Sequence, residues 1–329
     1  MSKIKRGVLF IVILAVFLLA SSVGMEYYVV HQLNGEVTGR NRPFAALTVE
    51  PEDTLDLLVA GDSESYNSVS TMRLWDDKGI TTYDCGQGAQ RIPETYYMLK
   101  HAFKKQSPKI VILETNTLFR DIGAVKSTQE ILTQAGQYYL PVFRYHNLWK
   151  TVVDEPEMHT NYKGFVIRDE VDPYEGKPDY MKKQKKCETM PEYVKVYLEK
   201  IEELCEKNNA QLLLVSMPSP KNWNHKRHAE IQKYADGKGI TYLDLNKKVE
   251  ELGLNWTEDT QDKGDHLNVY GAEKVTSYLG NYLEENYELE DHRNDPTYEA
   301  WNQLAEQYKQ NLARIKGKIE VAKETGVGK

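Results

Sequence analysis

What the chain lacks narrows its chemistry. Three cysteines in 329 residues, Cys85, Cys187 and Cys205, are too few and too irregularly spaced for a disulfide framework or a cysteine zinc site. They are expected as buried free thiols, and Cys85 reads as a small buried hydrophobe because no histidine flanks it. Positive charge is not in excess: 42 Lys and Arg against 49 Asp and Glu leave a net charge of −7, so nucleic acid is not an expected partner. Gly86-x-Gly88 lacks the third glycine and the downstream acidic partner of a nucleotide loop, and no His, Cys and carboxylate cluster has metal-ligand spacing. The chain is therefore expected to work without a cofactor or metal.

Long hydrophobic runs are missing everywhere but at the start. Gly7 to Met25, reading GVLFIVILAVFLLASSVGM, carries no charge and follows Lys3, Lys5 and Arg6. At about 1.5 Å per residue it is long enough to cross roughly 30 Å of hydrocarbon. The basic flank is expected to stay in the cytoplasm, putting everything after about Tyr27 outside. A cleaved signal peptide is the competing reading, since Ala20-Ser21-Ser22 is small. The run exceeds the usual signal core and no Ala-x-Ala follows it, so residues 1–26 are read as an uncleaved single-pass anchor, followed by a polar stalk over 27–53.

Beyond the stalk, short apolar runs recur at Leu55–Ala60, Ile80–Cys85, Lys109–Leu113, Gln211–Val215 and Ile240–Leu243. Helical patterns separate them, at Ile92–Lys104, Pro191–Lys207, His225–Lys238 and Val269–Tyr287. This alternation predicts an α/β domain over 54–290, a doubly wound, flavodoxin-like sheet of five parallel strands. It breaks at about 120–190, where Tyr138, Tyr139, Tyr145, Trp149, Tyr162, Phe165, Tyr174 and Tyr180 concentrate. An inserted loop and helical region is expected there, overhanging the carboxyl edge of the sheet, its aromatics either packing or walling a sugar site. The tail, 291–329, reads as a helix whose stripe of Trp301, Leu304, Tyr308 and Leu312 packs on the domain or on a partner.

The first strand stops on Gly61-Asp62-Ser63, and far downstream comes Gly264-Asp265-His266-Leu267-Asn268. A serine hydroxyl at a strand end becomes a nucleophile when a histidine takes its proton and nearby donors stabilise the oxyanion on the attacked carbon. Ser63 begins a helix, so its own N–H is a candidate donor. The second strand runs into Asp84-Cys85-Gly86-Gln87-Gly88-Ala89-Gln90, a turn able to present backbone N–H groups at Gly88 and Ala89. The third ends Glu114-Thr115-Asn116, bringing an amide to the same crevice.

These blocks resemble the SGNH, or GDSL-type, hydrolase and acyltransferase superfamily. Carried over residue by residue, the resemblance implies Ser63 as nucleophile, His266 as general base and Asn116 as an oxyanion donor. Ala89 falls where the superfamily usually has glycine, which a backbone N–H tolerates if the local φ is negative. The acid usually stands three residues before the histidine, where this chain has Lys263 flanked by Asp262 and Asp265; Asp265 is the first choice because it lies within the compact block Gly264–Asn268, and Asp262 is a close second. Asp62 is read as a helix cap. Lys221, Trp223, His225 and His228, after the fourth strand, are expected to line the cleft opposite Asn116 and to suit a polyol or phosphate-bearing polymer.

The segments Asp265–Lys274 and Met217–Trp223 look like those of membrane-anchored cell-envelope members, among them relatives of the D-alanine transfer protein of teichoic acid modification and the alginate and peptidoglycan O-acetyltransferases. The resemblance implies an extracytoplasmic serine O-acyltransferase acting on an envelope polymer, teichoic acid or glycan, with an integral membrane acyltransferase as donor partner. An esterase using the same residues and a non-catalytic glycan-binding scaffold are the alternatives.

Overall fold

Runs in which every residue is apolar need cover on both faces, and a parallel sheet between helical layers supplies it. The computed structural model describes residues 2–153, 160–177 and 179–325; parts of the 120–190 insertion and the last residues of the tail fall outside these ranges. Five parallel strands, β1 (Leu57–Ala60), β2 (Thr82–Asp84), β3 (Ile110–Glu114), β4 (Gln211–Ser216) and β5 (Thr241–Asp244), form one sheet in the order β2-β1-β3-β4-β5. Each expected strand is present, shifted by one or two residues at its ends. A short antiparallel hairpin, β6 (Thr260–Gln261) and β7 (His266–Leu267), stands apart, with Gln261 opposite His266.

Before the sheet come α1 (Lys3–His31) and α2 (Arg42–Val49). Then follow α3 (Ser63–Ser68) and α4 (Thr71–Lys78) after β1, α5 (Ile92–Ala102) after β2, and α6 (Gly123–Tyr139), α7 (Pro141–Arg144), α8 (Leu148–Val153) and α9 (Glu192–Lys207) after β3. After β4 comes α10 (His225–Lys238), and the chain closes with α11 (Val269–Asn286) and α12 (Glu299–Thr325).

Alternate strand residues feed two cores. Leu58, Ala60, Val111, Leu113 and Leu214 join the layer containing Met98 and Leu99 of α5 and Leu198 and Ile201 of α9. Leu57, Val59, Ile110, Ile112, Leu213 and Val215 join the layer containing Val275, Leu279 and Leu283 of α11. This is a doubly wound sheet, and its carboxyl edge at the β1/β3 reversal is where such folds bind ligands.

α1 is long and apolar enough to cross a membrane, with hydropathy 2.8 over its best window and most of its side chains exposed. Its last turns are not followed by a free stalk. Val29 packs with Ala45 of α2 and Tyr145, and the Ser22 hydroxyl accepts a bond from the Val142 N–H at 3.2 Å. Phe44, Ala45 and Leu47 of α2 are buried, because an eight-residue helix opening on Pro43 turns an apolar face to the domain.

The aromatic insertion splits between elements. Tyr138 stacks on Tyr97 of α5 with Lys100 over its ring, Tyr145 is buried beside Arg144, and Trp149 is exposed. Tyr162 and Phe165 pack edge-on to Tyr308 of α12, while Tyr174 and Tyr180 flank Trp256. The run around 160–174 borders the carboxyl edge at β2 and α3, donating from Val166 N to the Tyr66 carbonyl and accepting at Lys163 O from Asp84 N, and the Tyr180 hydroxyl donates to Asn246 beyond β5. The tail stripe packs on the domain: Trp301, Tyr308 and Leu312 are buried, with Trp301 against Trp75 of α4. Cys85 and Cys205 are buried as expected, whereas Cys187 is exposed, lying in a polar loop with no core to enter.

Candidate active site

β1 delivers Ser63 through a close crossing. A Cβ on Gly61 would sit 2.5 Å from Cβ of Glu114 on the neighbouring strand, so glycine is required where the chain leaves the sheet. Asp62 then caps α3, its Oδ1 accepting the Glu64 N–H at 2.9 Å, and Ser63 opens the helix half-buried.

The Ser63 hydroxyl lies 2.7 Å from Nε2 of His266, and Nδ1 of His266 lies 2.7 Å from Oδ2 of Asp262. A carboxylate only accepts, so Nδ1 carries the ring proton, leaving Nε2 to accept from Ser63. The other Asp262 oxygen accepts the His266 backbone N–H at 2.9 Å, fixing carboxylate and ring together.

The histidine side is built by the β6/β7 hairpin. Asp262, Lys263 and Gly264 all have positive φ, at 49°, 62° and 83°, folding the chain back so that residue 262 meets the ring of residue 266. Lys221 donates its ammonium to the Asp262 carbonyl, and Ser219 donates its hydroxyl to the Asp265 carbonyl at 2.7 Å. Thr260 donates to the His266 carbonyl at 2.9 Å. Asp265, the first choice for the acid, is displaced from that place: its Oδ1 accepts from the Asn222 side-chain amide, which also donates to Glu64 Oε1. The reversal points residues 262 and 265 to different partners.

A floor of buried carboxylates lies under α3. Asp62, fully buried, accepts from Arg120 Nε at 2.7 Å and from Asn116 Nδ2 at 3.1 Å, and the Arg120 guanidinium answers its charge. Neither Glu64 nor Glu114 is ion-paired among the described residues; burial first, and then the charge of Asp62, pushes both carboxyls well above the ordinary range, with Arg120 opposing the rise at Glu114. One oxygen of each, Oε2, is buried without a hydrogen-bond partner among the described residues. Asp84, at the end of β2, accepts from Gly86 N–H at 2.7 Å and from the Ser65 hydroxyl at 3.0 Å, yet burial carries it up to about 8.

The turn after β2 presses close to α3: a Cβ on Gly86 would lie 2.2 Å from Ser65 Oγ. Ala89 has φ of 52°, not the negative value its methyl group would favour, so the glycine conformation is kept by a residue that adopts it only under strain. The backbone N–H groups of Ser63, Gly88 and Ala89 have no acceptor among the described residues, and Gly88 and Ala89 are exposed. Since α3 has six residues, its dipole contributes little and the N–H groups themselves are the donors. Asn116 is tethered, Nδ2 to Asp62 and Oδ1 to Arg227 Nη1 at 3.0 Å, leaving one N–H of its amide uncommitted.

Three of the four residues expected along the cleft after β4 lie elsewhere. Trp223 is buried, edge-on to Phe119, its indole N–H donating to Asp244 at 3.3 Å. Nδ1 of His228 stands 2.7 Å from Asp244 Oδ2, and His225 meets the Gln184 N–H at 3.4 Å. Both histidines sit in the first turn of α10; His228 is buried with Ile231 and Ala235 on the inward side of that helix, whereas His225 meets the insertion. Lys221 alone reaches the hairpin. The residues that tie the site together, Arg120, Asn222 and Arg227, carry no motif; Asn222 is signalled only by its place beside Ser219 in the loop after β4.

Glu64, Asp265 and His266 bring potential ligand atoms within 4.8 Å of one another. Both ring nitrogens of His266 are already committed to Ser63 and Asp262, and burial disfavours the charged form of Glu64 that a metal would need, so this trio does not fit a metal.

No protein-family model matches the chain, and no curated protein matches it. Solved structures similar to it include a GDSL-like lipase from Bacteroides thetaiotaomicron, at 12% identity over 74% of this chain and 97% of that one, TM-score 0.40. An acetyl xylan esterase from Butyrivibrio proteoclasticus matches at 11% identity over 71% and 65%, TM-score 0.34. A protein described as lipolytic, of the G-D-S-L family, from Desulfitobacterium hafniense matches at 15% identity over 69% and 99%, TM-score 0.38.

Proposed function

We propose that the chain is a serine esterase of the SGNH type that cleaves O-acyl esters through an acyl-Ser63 intermediate, on an extracytoplasmic polymer. The observation that supports it is the continuous Asp262–His266–Ser63 hydrogen-bond chain. Ser63 Oγ attacks the ester carbonyl carbon while His266 Nε2 takes the hydroxyl proton, and the oxyanion forms against the N–H groups of Ser63, Gly88 and Ala89. His266 returns that proton to the departing alcohol oxygen. Water then gives a proton to His266 and its oxygen to the acyl carbon, and the serine–acyl bond breaks with return of the proton to Ser63 Oγ. Ser63 is only half-buried, which leaves access for water at the acyl-enzyme and favours hydrolysis.

Transfer to a polymer hydroxyl is the second reading, favoured by α1, whose length and apolarity would hold the domain near a membrane-embedded acyl donor. Covalent labelling with a fluorophosphonate tests the chemistry: the parent labels, Ser63→Ala does not. Base-released acetate and D-alanine from envelopes of cells carrying parent or Ser63→Ala then separate the readings. A higher ester content in the variant marks an esterase and a lower one a transferase.

A further inference from the structure

The apolar run of α1 and the surface of the domain overlap along the chain. No ionisable side chain lies between Arg6 and Glu26, a stretch worth about 28 Å of helix. Contact with the domain begins before that stretch ends. Ser22 is buried, its hydroxyl accepting the Val142 N–H at 3.2 Å, and Met25 and Val29 pack on the cluster that holds Ala45 and Tyr145. Ser22 stands four residues short of Glu26, about 6 Å along the helix axis. α7 therefore sits level with the last turn of the apolar run instead of beyond it.

The side chains at that level have the composition of a membrane interface. α7 reads Pro141-Val142-Phe143-Arg144, and its single charge is turned inward: Arg144 is buried, its guanidinium 3.5 Å from the centre of the Phe44 ring. Phe143 is left 45% exposed, between Tyr139 at 62% and Trp149 at 59%, where a soluble surface scatters large apolar rings singly. Lysines accompany the rings. Lys100 donates to the Tyr139 hydroxyl at 3.2 Å, and Lys150 lies 5.6 Å from the centre of the Trp149 ring. Aromatic rings beside lysine stems suit the level at which acyl chains give way to headgroup phosphates.

The orientation follows from α5 and α6, which run side by side in the same direction. Arg91, just before α5, pairs with Glu130 at 3.2 Å, and Lys100 near the end of α5 meets Tyr139 at the end of α6. α5 leaves the carboxyl end of β2, so the end of α6 and α7 after it lie toward the amino edge of the sheet, away from Ser63.

We propose that the end of α6 together with α7 and α8 forms a second membrane contact, seated in the headgroup layer of the bilayer that α1 spans, and that this seat turns the Ser63 edge of the sheet away from the lipid. The partner is the lipid surface itself, continuous with the level that α1 sets. The proposal rests on α1 remaining in a bilayer and is independent of the esterase chemistry.

The test reconstitutes the full-length protein in phosphatidylcholine vesicles with and without lipids brominated near the carbonyl end of their acyl chains. α1 carries no tryptophan, so quenching of tryptophan emission by bromine reports the domain. Two substitutions at exposed positions place reporters beyond the two ends of contact: Phe143→Trp on α7 and Val125→Trp near the start of α6. The tryptophan added at position 143 is expected to be quenched and the one added at 125 is not, and Trp149→Phe is expected to remove most of the quenching seen in the parent. No quenching at 143, or equal quenching at both positions, overturns the proposal. Flotation of the vesicles keeps the two claims apart: protein that floats without quenching at 143 leaves α1 in the bilayer and removes the seat, and protein that does not float removes both. Cross-linking into dimers that is lost in Phe143→Glu assigns the face to a second copy of the chain and overturns the lipid contact.

Discussion

The two halves of the site are held by different means. Ser63 and the turn after β2 hang from the carboxyl ends of β1 and β2, where Val59, Ala60, Asp62 and Cys85 are fully buried. Asp262 and His266 sit on a hairpin two residues deep, kept in place by Lys221, Ser219 and Thr260 and by a run of positive φ angles. Ser63 thus inherits its position from the core, while His266 and Asp262 depend on a few polar contacts at the surface. Substitutions around Ser63 should act on stability first, and those in the hairpin on turnover with the fold intact.

Asp262→Asn is the strongest way to break that contrast. Losing the carboxylate that holds the His266 tautomer is expected to lower kcat on an aryl acetate about 10⁴-fold with little change in melting temperature, whereas Asp265→Asn costs less than about tenfold. Equal losses in the two variants would return the acid role to Asp265. On the sheet side, Arg120→Ala strands the Asp62 carboxylate without its cation. It should cost about 3 kcal/mol in urea unfolding, since Asp62 is fully buried while Arg120 is one-third exposed. A loss confined to turnover would place Arg120 in the chemistry instead of the scaffold.

The same contrast separates what the sequence shows from what it hides. Leu55–Ala60, Lys109–Leu113 and Gln211–Val215 announce their strands because a strand covered on both faces is apolar at every position, and a strand end fixes where Ser63 and Asn116 emerge. Nothing local announces that Asp262 and Lys263 take left-handed conformations, and the compact block Gly264–Asn268 therefore points toward Asp265. The same limit applies after β4: Trp223 and His228 look suited to a cleft, but the loop before α10 and the first turn of that helix turn both to Asp244 at the end of β5. The segment over 27–53 read as a stalk because Phe44, Ala45 and Leu47 make too short a pattern to show that α1 and Tyr145 complete a core around them.

Titration sharpens the sheet half. Asp84, raised to about 8, keeps its proton in the folded chain at pH values where the unfolded carboxyl, near its ordinary range, has lost it. The folded state therefore binds more protons between about pH 4 and about pH 8, and stability falls as pH rises through that window. Between about pH 6 and about pH 8 the loss is on the order of 2 kcal/mol. Asp84→Asn, which keeps a neutral side chain of the same shape, should flatten the dependence in denaturant titrations at several pH values. An unchanged slope would show that Asp84 is not the group that titrates.

The smallest expected effect lies in the turn after β2, at Ala89. Ala89 at φ of 52° bears a cost of about 1–2 kcal/mol that glycine does not, while glycine adds about 0.5–1 kcal/mol of unfolded-state entropy. Ala89→Gly should then stabilise by about 0.5 kcal/mol, read as a small rise in the urea midpoint with no change in slope. A fall in the midpoint would mean that the Ala89 methyl group makes packing contacts worth more than its backbone strain. The turn would then be held, like Ser63, by burial, and the boundary between the two halves of the site would move outward to include it.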